Sequence, residues 1–177
     1  MEIRDTKLKG VKLVTQDAPF EDHRGYYREL YSKKSYDNML RVGAFVEDDI
    51  SVSDSKGVLK GIHGDEGTWK LISCIAGKFY LVVVNCNRDH QQFGMWDSFI
   101  LTPRNRVQVL VPPRFGNGHQ ALQDGTIFYY KQTSYYGDYE QITVAWHDPN
   151  LQIPWPINNP ILSLRDSEGP FFKFESL

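Results

Sequence analysis

The chain has 177 residues, of which 41% are hydrophobic and 24% charged, and this is enough for one domain with a substantial core. It carries 20 basic and 22 acidic residues, and the basic ones are scattered, which does not favour a nucleic-acid partner but leaves a small anionic ligand open. The sequence shows no signal-peptide pattern and no run long and apolar enough to span a membrane. These properties predict a cytoplasmic protein with a single domain over residues 1–177.

Strands dominate the predicted secondary structure, because β-branched and aromatic residues recur in short runs bounded by Gly, Pro, Asn or Asp. In chain order the predicted strands are 10–15, 25–31, 45–53, 57–62, 70–75, 78–86, 96–101, 106–111, 118–122, 126–133 and 141–146. Residues 33–40 predict one short helix, the run 79–84 predicts a strand buried on both faces, and the proline-rich tail after Trp155 predicts an irregular surface segment. Many short strands at even spacing indicate a sandwich or a barrel.

The two cysteines, Cys74 and Cys86, are expected to be buried free thiols. If Ala76-Gly77 is a two-residue hairpin turn, Cys74 faces Phe79 and Cys86 faces Gly67, so the cysteines do not face each other. Free thiols suit a reducing compartment.

Two histidines stand at places where chemistry is plausible. His63 ends a strand-like run in which Gly61 and Gly64 allow close approach of another backbone. His119 follows a segment rich in proline and glycine. Two histidines on facing strands could bind a metal ion, but neither has a companion ligand at a suitable spacing, so the sequence predicts no metal site.

Three further residues complete a set that could move protons. Lys70 lies in an apolar strand, Tyr130 in an aromatic-rich strand and Asp166 in the tail. Each also has an ordinary structural interpretation, as a lysine that reaches solvent, a core tyrosine and a turn cap. With His63 they would supply a base, a cation, a phenol and a carboxylate, which suffice to remove a proton beside a ketone and return one to the opposite face.

Nine ordered motifs carry a resemblance to a known family. They lie at 20–27 (with Asp22-His23-Arg24-Gly25), 56–63 (ending Lys60-Gly61-Ile62-His63), 70–71, 102–105, 112–119, 130–131, 146–149 (Trp146-His147-Asp148-Pro149), 153–156 and 162–166 (Leu162-Ser163-Leu164-Arg165-Asp166). Together they resemble the dTDP-4-dehydrorhamnose 3,5-epimerase family of nucleotide-sugar epimerases. The resemblance implies an all-β, cupin-type jelly roll (a double-stranded β-helix) with one short N-terminal helix and an irregular C-terminal tail. It also implies a homodimer that works without a metal or an organic cofactor.

The resemblance implies roles for individual residues. It matches His63 to the base that abstracts the proton, Asp166 to the carboxylate that orients it, Tyr130 to the acid on the other face and Lys70 to the cation beside the enolate. Substrate-binding positions are implied for a further set, of which the first two would reach the site of the partner subunit: Arg24, Glu29, Asp49, Lys60, His119 and Glu140.

Departures from the family pattern bear on the substrate. The usual Gln-Asp-Asn reads Glu47-Asp48-Asp49, the usual Arg-Gly-Leu-His reads Lys60-Gly61-Ile62-His63, and the link from His63 to Lys70 is shorter than in the rhamnose-pathway enzymes. Other motifs, at 64–65, 68–70, 116–119 and 159–163, are closer to a branch that acts on GDP-linked 4-keto-heptoses. We therefore expect an epimerase that inverts C3, C5 or both of a GDP-4-keto-heptose, with a dTDP-4-keto-6-deoxyhexose as the second candidate, for surface-polysaccharide biosynthesis.

Three alternatives stay open at this point. A metal-dependent cupin would contain bound metal and lose activity with a chelator. A sugar-nucleotide ketoisomerase of the related jelly-roll type would give a constitutional isomer. A module that binds a nucleotide sugar without turnover would show no exchange of sugar hydrogens with solvent.

Overall fold

The computed structural model describes residues 1–173 and folds into two antiparallel β-sheets. The strands are β1 (Glu2–Asp5), β2 (Lys12–Thr15), β3 (Phe20–Asp22), β4 (Gly25–Tyr27), β5 (Glu47–Ser53), β6 (Leu59–Asp65), β7 (Lys70–Ala76), β8 (Phe79–Asn85), β9 (Trp96–Leu101), β10 (Val107–Val111), β11 (Phe115–Ala121), β12 (Thr126–Gln132) and β13 (Gln141–Thr143). The helices are α1 (Lys33–Leu40) and α2 (Leu164–Ser167). No helix within the described residues is long and apolar enough to cross a membrane.

One sheet has six strands in the order β1-β2-β10-β7-β12-β5, and the other has five in the order β13-β6-β11-β8-β9. The strands β3 and β4 form a separate hairpin. The two sheets face each other across one apolar core, which confirms the predicted all-β jelly-roll class.

Strand β8 is buried on both faces, as its apolar run predicts. Leu81 and Val83 pack between the sheets in the same cluster as Ile72 of β7. The alternate residue Val82 packs on the outer side with Trp155 of the tail. The tail therefore covers one sheet face and stabilises it by burial of apolar surface.

The predicted hairpin at Ala76-Gly77 is wrong. Strands β7 and β8 belong to different sheets, so this connection crosses from one layer to the other. Cys74 lies opposite Phe128 of β12 and not opposite Phe79. Both cysteines are free, as expected, although Cys86 is only partly buried. The apolar residues of β7 and β8 pack against each other across the core, and a hairpin within one sheet would prevent this.

Other differences concern element ends. Helix α1 has the predicted bounds, but the strand predicted at 25–31 ends at Tyr27, and β11 begins at Phe115, within glycine-rich sequence that is typical of a turn. The strand predicted at 57–62 is β6, which begins at Leu59 and extends to Asp65. The tail is irregular apart from an isolated bridge between Val58 and Ile161 and the single turn of α2.

Candidate active site

A cavity of about 480 Å³ brings together the chemistry-bearing residues that the sequence singles out. Its walls come from both sheets and from the tail. His63, Lys60 and His119 line it from the five-stranded sheet, and Lys70 and Tyr130 from the six-stranded sheet. Asp166 of α2 also lines it. All four predicted catalytic residues therefore meet in this one cavity.

His63 and Asp166 form a close polar pair in this cavity. The Nε2 atom of His63 lies 2.8 Å from Oδ1 of Asp166, and the two side chains are 29% and 4% exposed. The distance is that of a strong polar contact, although the ring N–H is not aligned on the oxygen well enough for a regular hydrogen bond. A carboxylate at this place favours the tautomer with the proton on Nε2 and stabilises a charged imidazolium.

Asp166 is held in place by its neighbours. Ser163 Oγ donates to Asp166 Oδ2 at 2.8 Å, and the Asp166 backbone N–H donates back to Ser163 Oγ at 3.1 Å. The Gly61 N–H donates to Asp166 Oδ1 at 3.3 Å. Burial would raise the pKa of Asp166, but the close polar contact with His63, the hydrogen bond from Ser163 and the His63 charge bring the pKa below its usual value. The carboxylate is thus ionised at neutral pH.

Tyr130 faces the cavity from β12, where its cross-strand neighbour is Asp49 of β5. Burial raises the pKa of Tyr130 well above the ordinary phenol value, and the charge and hydrogen bonding of Asp49 add to that rise. The phenol therefore stays protonated at neutral pH and can donate a proton.

Lys70 stands at the start of β7 beside two of these groups. Its Nζ lies 3.4 Å from Oδ2 of Asp65 and 5.8 Å from the centre of the Tyr130 ring. The Lys70 side chain is 16% exposed, so its charge faces the cavity with little water around it. An ammonium group in such a place stabilises negative charge that develops on a bound ligand.

His119 and Lys60 face each other across the register of β11 and β6. The His119 ring stacks on Phe128 at 4.1 Å, and its buried Nε2 has no hydrogen-bond partner. Burial, with a contribution from the Lys60 charge, lowers the pKa of His119 from 6.5 to about 3, so this imidazole is neutral. Lys60 Nζ donates to Ser51 Oγ at 2.7 Å and to the Val52 carbonyl at 2.8 Å.

Gly61 and Gly64 have the close backbone neighbours that the sequence predicts. A Cβ on Gly61, whose φ is +107°, would lie 2.6 Å from the Asn117 carbonyl oxygen. A Cβ on Gly64 would lie 2.3 Å from the Phe115 carbonyl oxygen. Only glycine lets β6 approach β11 this closely beside His63.

The remaining predicted binding residues lie outside this cavity. Arg24 is exposed at the tip of the β3–β4 hairpin and pairs with Asp22 at 2.7 Å. Glu29 lines a second cavity of about 280 Å³ near α1, and Glu140 is exposed at a third cavity of about 700 Å³. Asp49 does not line the cavity itself but contacts Tyr130.

Several cavity residues were not predicted. They are polar side chains in strands, in the loop between β12 and β13, or in the tail: Ser51, Asn117, Tyr136, Gln141, Ser163 and Arg165. The sequence offered a hint for Ser163 and Arg165, which flank Asp166 in the last matched motif. For the others, strand alternation alone does not say which face meets the cavity.

Within residues 1–173, no three His, Cys, Asp or Glu side chains cluster closely enough to hold a metal ion.

Comparison with known proteins identifies the family. The family model described as dTDP-4-dehydrorhamnose 3,5-epimerase matches residues 5–173. A relative of that name from Shigella flexneri is 31% identical over 176 residues, which cover 97% of this chain and 96% of the relative.

Solved structures agree. The chain is similar to a dTDP-4-dehydrorhamnose 3,5-epimerase from Bacillus anthracis with TDP and pyrophosphate bound, with a TM-score of 0.90, 34% identity and coverage of 97% and 99% of the two chains. It is also similar to an epimerase from Legionella pneumophila in complex with dTDP-4-keto-L-rhamnose, with a TM-score of 0.89, 31% identity and coverage of 96% and 92%. The names refer to dTDP-linked sugars, so they give no support to the expected preference for a GDP-linked heptose. The family match over nearly the whole chain shows that this protein belongs to the dTDP-4-dehydrorhamnose 3,5-epimerase family and is an epimerase of the isomerase class.

Proposed function

We propose that the protein inverts C3, C5 or both of a dTDP-linked 4-keto-6-deoxyhexose through an enolate, without a cofactor. The observation that carries this proposal is that His63 and Tyr130 line one cavity from opposite sheets, with Asp166 in contact with His63 and Lys70 close to the Tyr130 ring. A proton can therefore leave one face of a bound sugar and another can arrive at the other face.

The first step is proton removal by His63. The C4 ketone acidifies the hydrogens on C3 and C5, so a neutral imidazole can take one while the bonding electrons move to form the C3–C4 or C4–C5 double bond and the C4 oxygen becomes negative. Asp166 keeps the proton on Nε2, which leaves Nδ1 as the basic nitrogen, and it stabilises the imidazolium that results. A positioned base is worth about 10²–10⁴-fold in rate.

Lys70 acts on the enolate. Its ammonium group faces the cavity and can lie beside the oxygen that becomes negative. A preorganised donor of this kind is worth about 10²–10³-fold in turnover, because the negative charge exists only in the transition state and intermediate.

Tyr130 completes the inversion by donating its phenolic proton to the carbon from the other face. The raised pKa keeps the phenol protonated until the enolate forms. After release of product, His63 holds one extra proton and Tyr130 lacks one, and exchange with solvent restores both. Neither residue alone inverts a centre.

Two observations support a dTDP-linked hexose as the substrate. Similar structures carry TDP or a dTDP-sugar, and the family model is named for a dTDP-sugar. The decisive experiment incubates the enzyme with dTDP-4-keto-6-deoxyglucose and, in parallel, with a GDP-4-keto-heptose in D2O, and locates deuterium and configuration by NMR. Inversion of the dTDP-sugar at the higher kcat/KM supports the proposal, and faster inversion of the heptose contradicts the substrate assignment.

The same experiment separates the other reactions. A ketoisomerase would move the carbonyl to C3 and give a constitutional isomer, and a binding module would leave the sugar hydrogens unexchanged. A metal-dependent enzyme would lose turnover in EDTA and regain it with one metal. Turnover that survives EDTA treatment supports the cofactor-free mechanism.

We also propose a homodimer in which the β3–β4 hairpin reaches the partner. Phe20 and Tyr27 of this hairpin are 68% and 74% exposed, and Arg24 stands at its tip. Burial of these apolar side chains by a second copy would stabilise the dimer and carry Arg24 and Glu29 toward the partner's cavity. Light scattering at working concentration tests this, and a fully active monomer contradicts it.

We also propose that residues 1–177 form one domain and that the enzyme is cytoplasmic. The shared core between the two sheets supports the first, and the two free cysteines support the second. Limited proteolysis tests the domain proposal, and cell fractionation tests the location.

A further inference from the structure

Asp65 contacts Lys70 but is not among the residues that line the cavity. It is the last residue of β6, two positions after His63, so its side chain leaves the strand on the same side as His63. Asp65 is 7% exposed. A buried carboxylate is costly unless it is paired and hydrogen-bonded, so its partners show what it does.

The two carboxylate oxygens of Asp65 have different partners. Oδ1 accepts hydrogen bonds from the backbone N–H groups of Gly67 at 3.1 Å and Thr68 at 2.7 Å, which closes the turn between β6 and β7. Oδ2 lies 3.4 Å from Lys70 Nζ. One oxygen thus shapes the turn, and the other holds the ammonium group at the start of the next strand.

We propose that Asp65 is a positioning residue for the reaction, which sets the place of the Lys70 ammonium beside the reacting carbonyl. This inference rests on the proposed function, in which Lys70 stabilises the enolate. Lys70 has a long, flexible side chain, and an ammonium is a point charge that needs an anchor to occupy one place. With Asp65 as the anchor, the Lys70 charge stands near the Tyr130 ring, at the side of the cavity from which the second proton comes. A displacement of about 1 Å in such a group can cost about 10²-fold in rate.

The variant Asp65→Asn tests the contact with Lys70 separately from the hydrogen bonds that close the turn. The amide oxygen can still accept from Gly67 and Thr68, so the turn is retained, but the amide NH2 replaces Oδ2 and presents a donor to the Lys70 ammonium. Asp65→Ala removes both contacts. Asp124→Asn is the matched control, because Asp124 Oδ1 also accepts a backbone N–H, from Lys56 at 2.7 Å, and Asp124 does not line the cavity.

The test combines kinetics, thermal unfolding and a crystal structure of each variant. We expect Asp65→Asn to keep a Tm close to that of the parent, while kcat falls by up to about 10²-fold and KM changes by less than about 3-fold. In its crystal structure Lys70 Nζ should leave its place by the Tyr130 ring. Asp65→Ala should lower both Tm and kcat, and Asp124→Asn should retain the parent kcat.

The outcomes distinguish this inference from the proposed function. If Lys70→Met loses turnover while Asp65→Asn keeps the parent kcat, with Lys70 in place, the inference is overturned and the proposed function stands. If the parent inverts no 4-keto sugar, the proposed function fails. The role in that reaction then fails with it, but the crystal structure of Asp65→Asn still decides whether Asp65 sets the place of Lys70, and an unmoved Lys70 Nζ overturns that as well.

Discussion

His63 and Tyr130 line the same cavity from opposite sheets, His63 from β6 of the five-stranded sheet and Tyr130 from β12 of the six-stranded one. Their positions in sequence are far apart, and only the jelly roll brings them together. The separation across the cavity gives a physical reason for two proton transfers on opposite faces of one ring. It also makes the two roles separable by mutation.

Asp166→Asn should lower kcat by about 10²–10⁴-fold, because the neutral amide no longer favours the tautomer with the proton on His63 Nε2 or stabilises the imidazolium. Ser163→Ala keeps the carboxylate and removes one hydrogen bond to it, so it should cost no more than about 10-fold. Steady-state kinetics measure both. A kcat of Asp166→Asn near that of the parent would remove Asp166 from the mechanism.

Lys60→Ala should mainly raise KM, by about 10- to 100-fold, if Lys60 binds the substrate diphosphate, since that contact is present in the ground state and the transition state alike. Lys56→Ala is the matched control, because Lys56 is exposed and does not line the cavity. Arg24→Ala should act in the same direction if the hairpin reaches the partner's cavity. An unchanged KM with reduced kcat for Lys60→Ala argues against phosphate binding by this residue.

The free energy of unfolding should decrease as the pH is lowered, because of His119. Its folded-state pKa of about 3 lies below the value of 6.5 expected in the unfolded chain. The contribution of neutral His119 to the free energy of unfolding is therefore complete above pH 6.5. It is lost as the pH falls toward about 3, because between these two values only the unfolded chain binds the proton. The expected slope from this one group is about 1.4 kcal/mol per pH unit.

Urea unfolding between pH 7 and 4 measures that slope. His119→Gln should reduce it, whereas His147→Gln, at an exposed position, should keep the slope of the parent. Equal slopes in the parent and His119→Gln would show that His119 titrates normally in the folded protein.

Gly61→Ala should destabilise the fold by about 3 kcal/mol, because it adds a Cβ at a strained φ and against the β11 backbone. Gly125→Ala is the matched control, since Gly125 also has a positive φ, of +64°, but its Cβ would meet nothing within 4 Å. The control should cost about 1 kcal/mol. Equal costs would mean that the approach of β11 to Gly61 does not matter.

The sequence predicted much of this site because its residues stand in matched motifs. The resemblance singled out His63, Lys70, Tyr130 and Asp166, and all four line one cavity. The helix and most strands were also predictable, since they are defined locally by apolar runs and by the Gly, Pro, Asn or Asp residues that bound them.

What the sequence could not predict depends on distant partners. The crossing at Ala76-Gly77 looks like a tight hairpin turn until β7 and β8 are assigned to separate sheets. The division of the Asp65 oxygens between a turn and Lys70 requires the two strand ends to be placed in space. Arg24, Glu29 and Glu140 lie outside this cavity, so the positions of distant elements, and for Arg24 and Glu29 the proposed dimer, decide whether they meet a substrate.

The most direct test of the central claim is an NMR time course of Tyr130→Phe in D2O, with the parent and His63→Ala beside it. Tyr130→Phe removes the phenolic hydroxyl alone, so His63 can still take a proton and return a deuteron on its own face. We expect deuterium to enter the substrate with retained configuration, while inverted product falls by about 10²–10⁴-fold. His63→Ala should show neither exchange nor inversion. Inversion by Tyr130→Phe at close to the parent rate would contradict the account, because another donor would then supply the second proton.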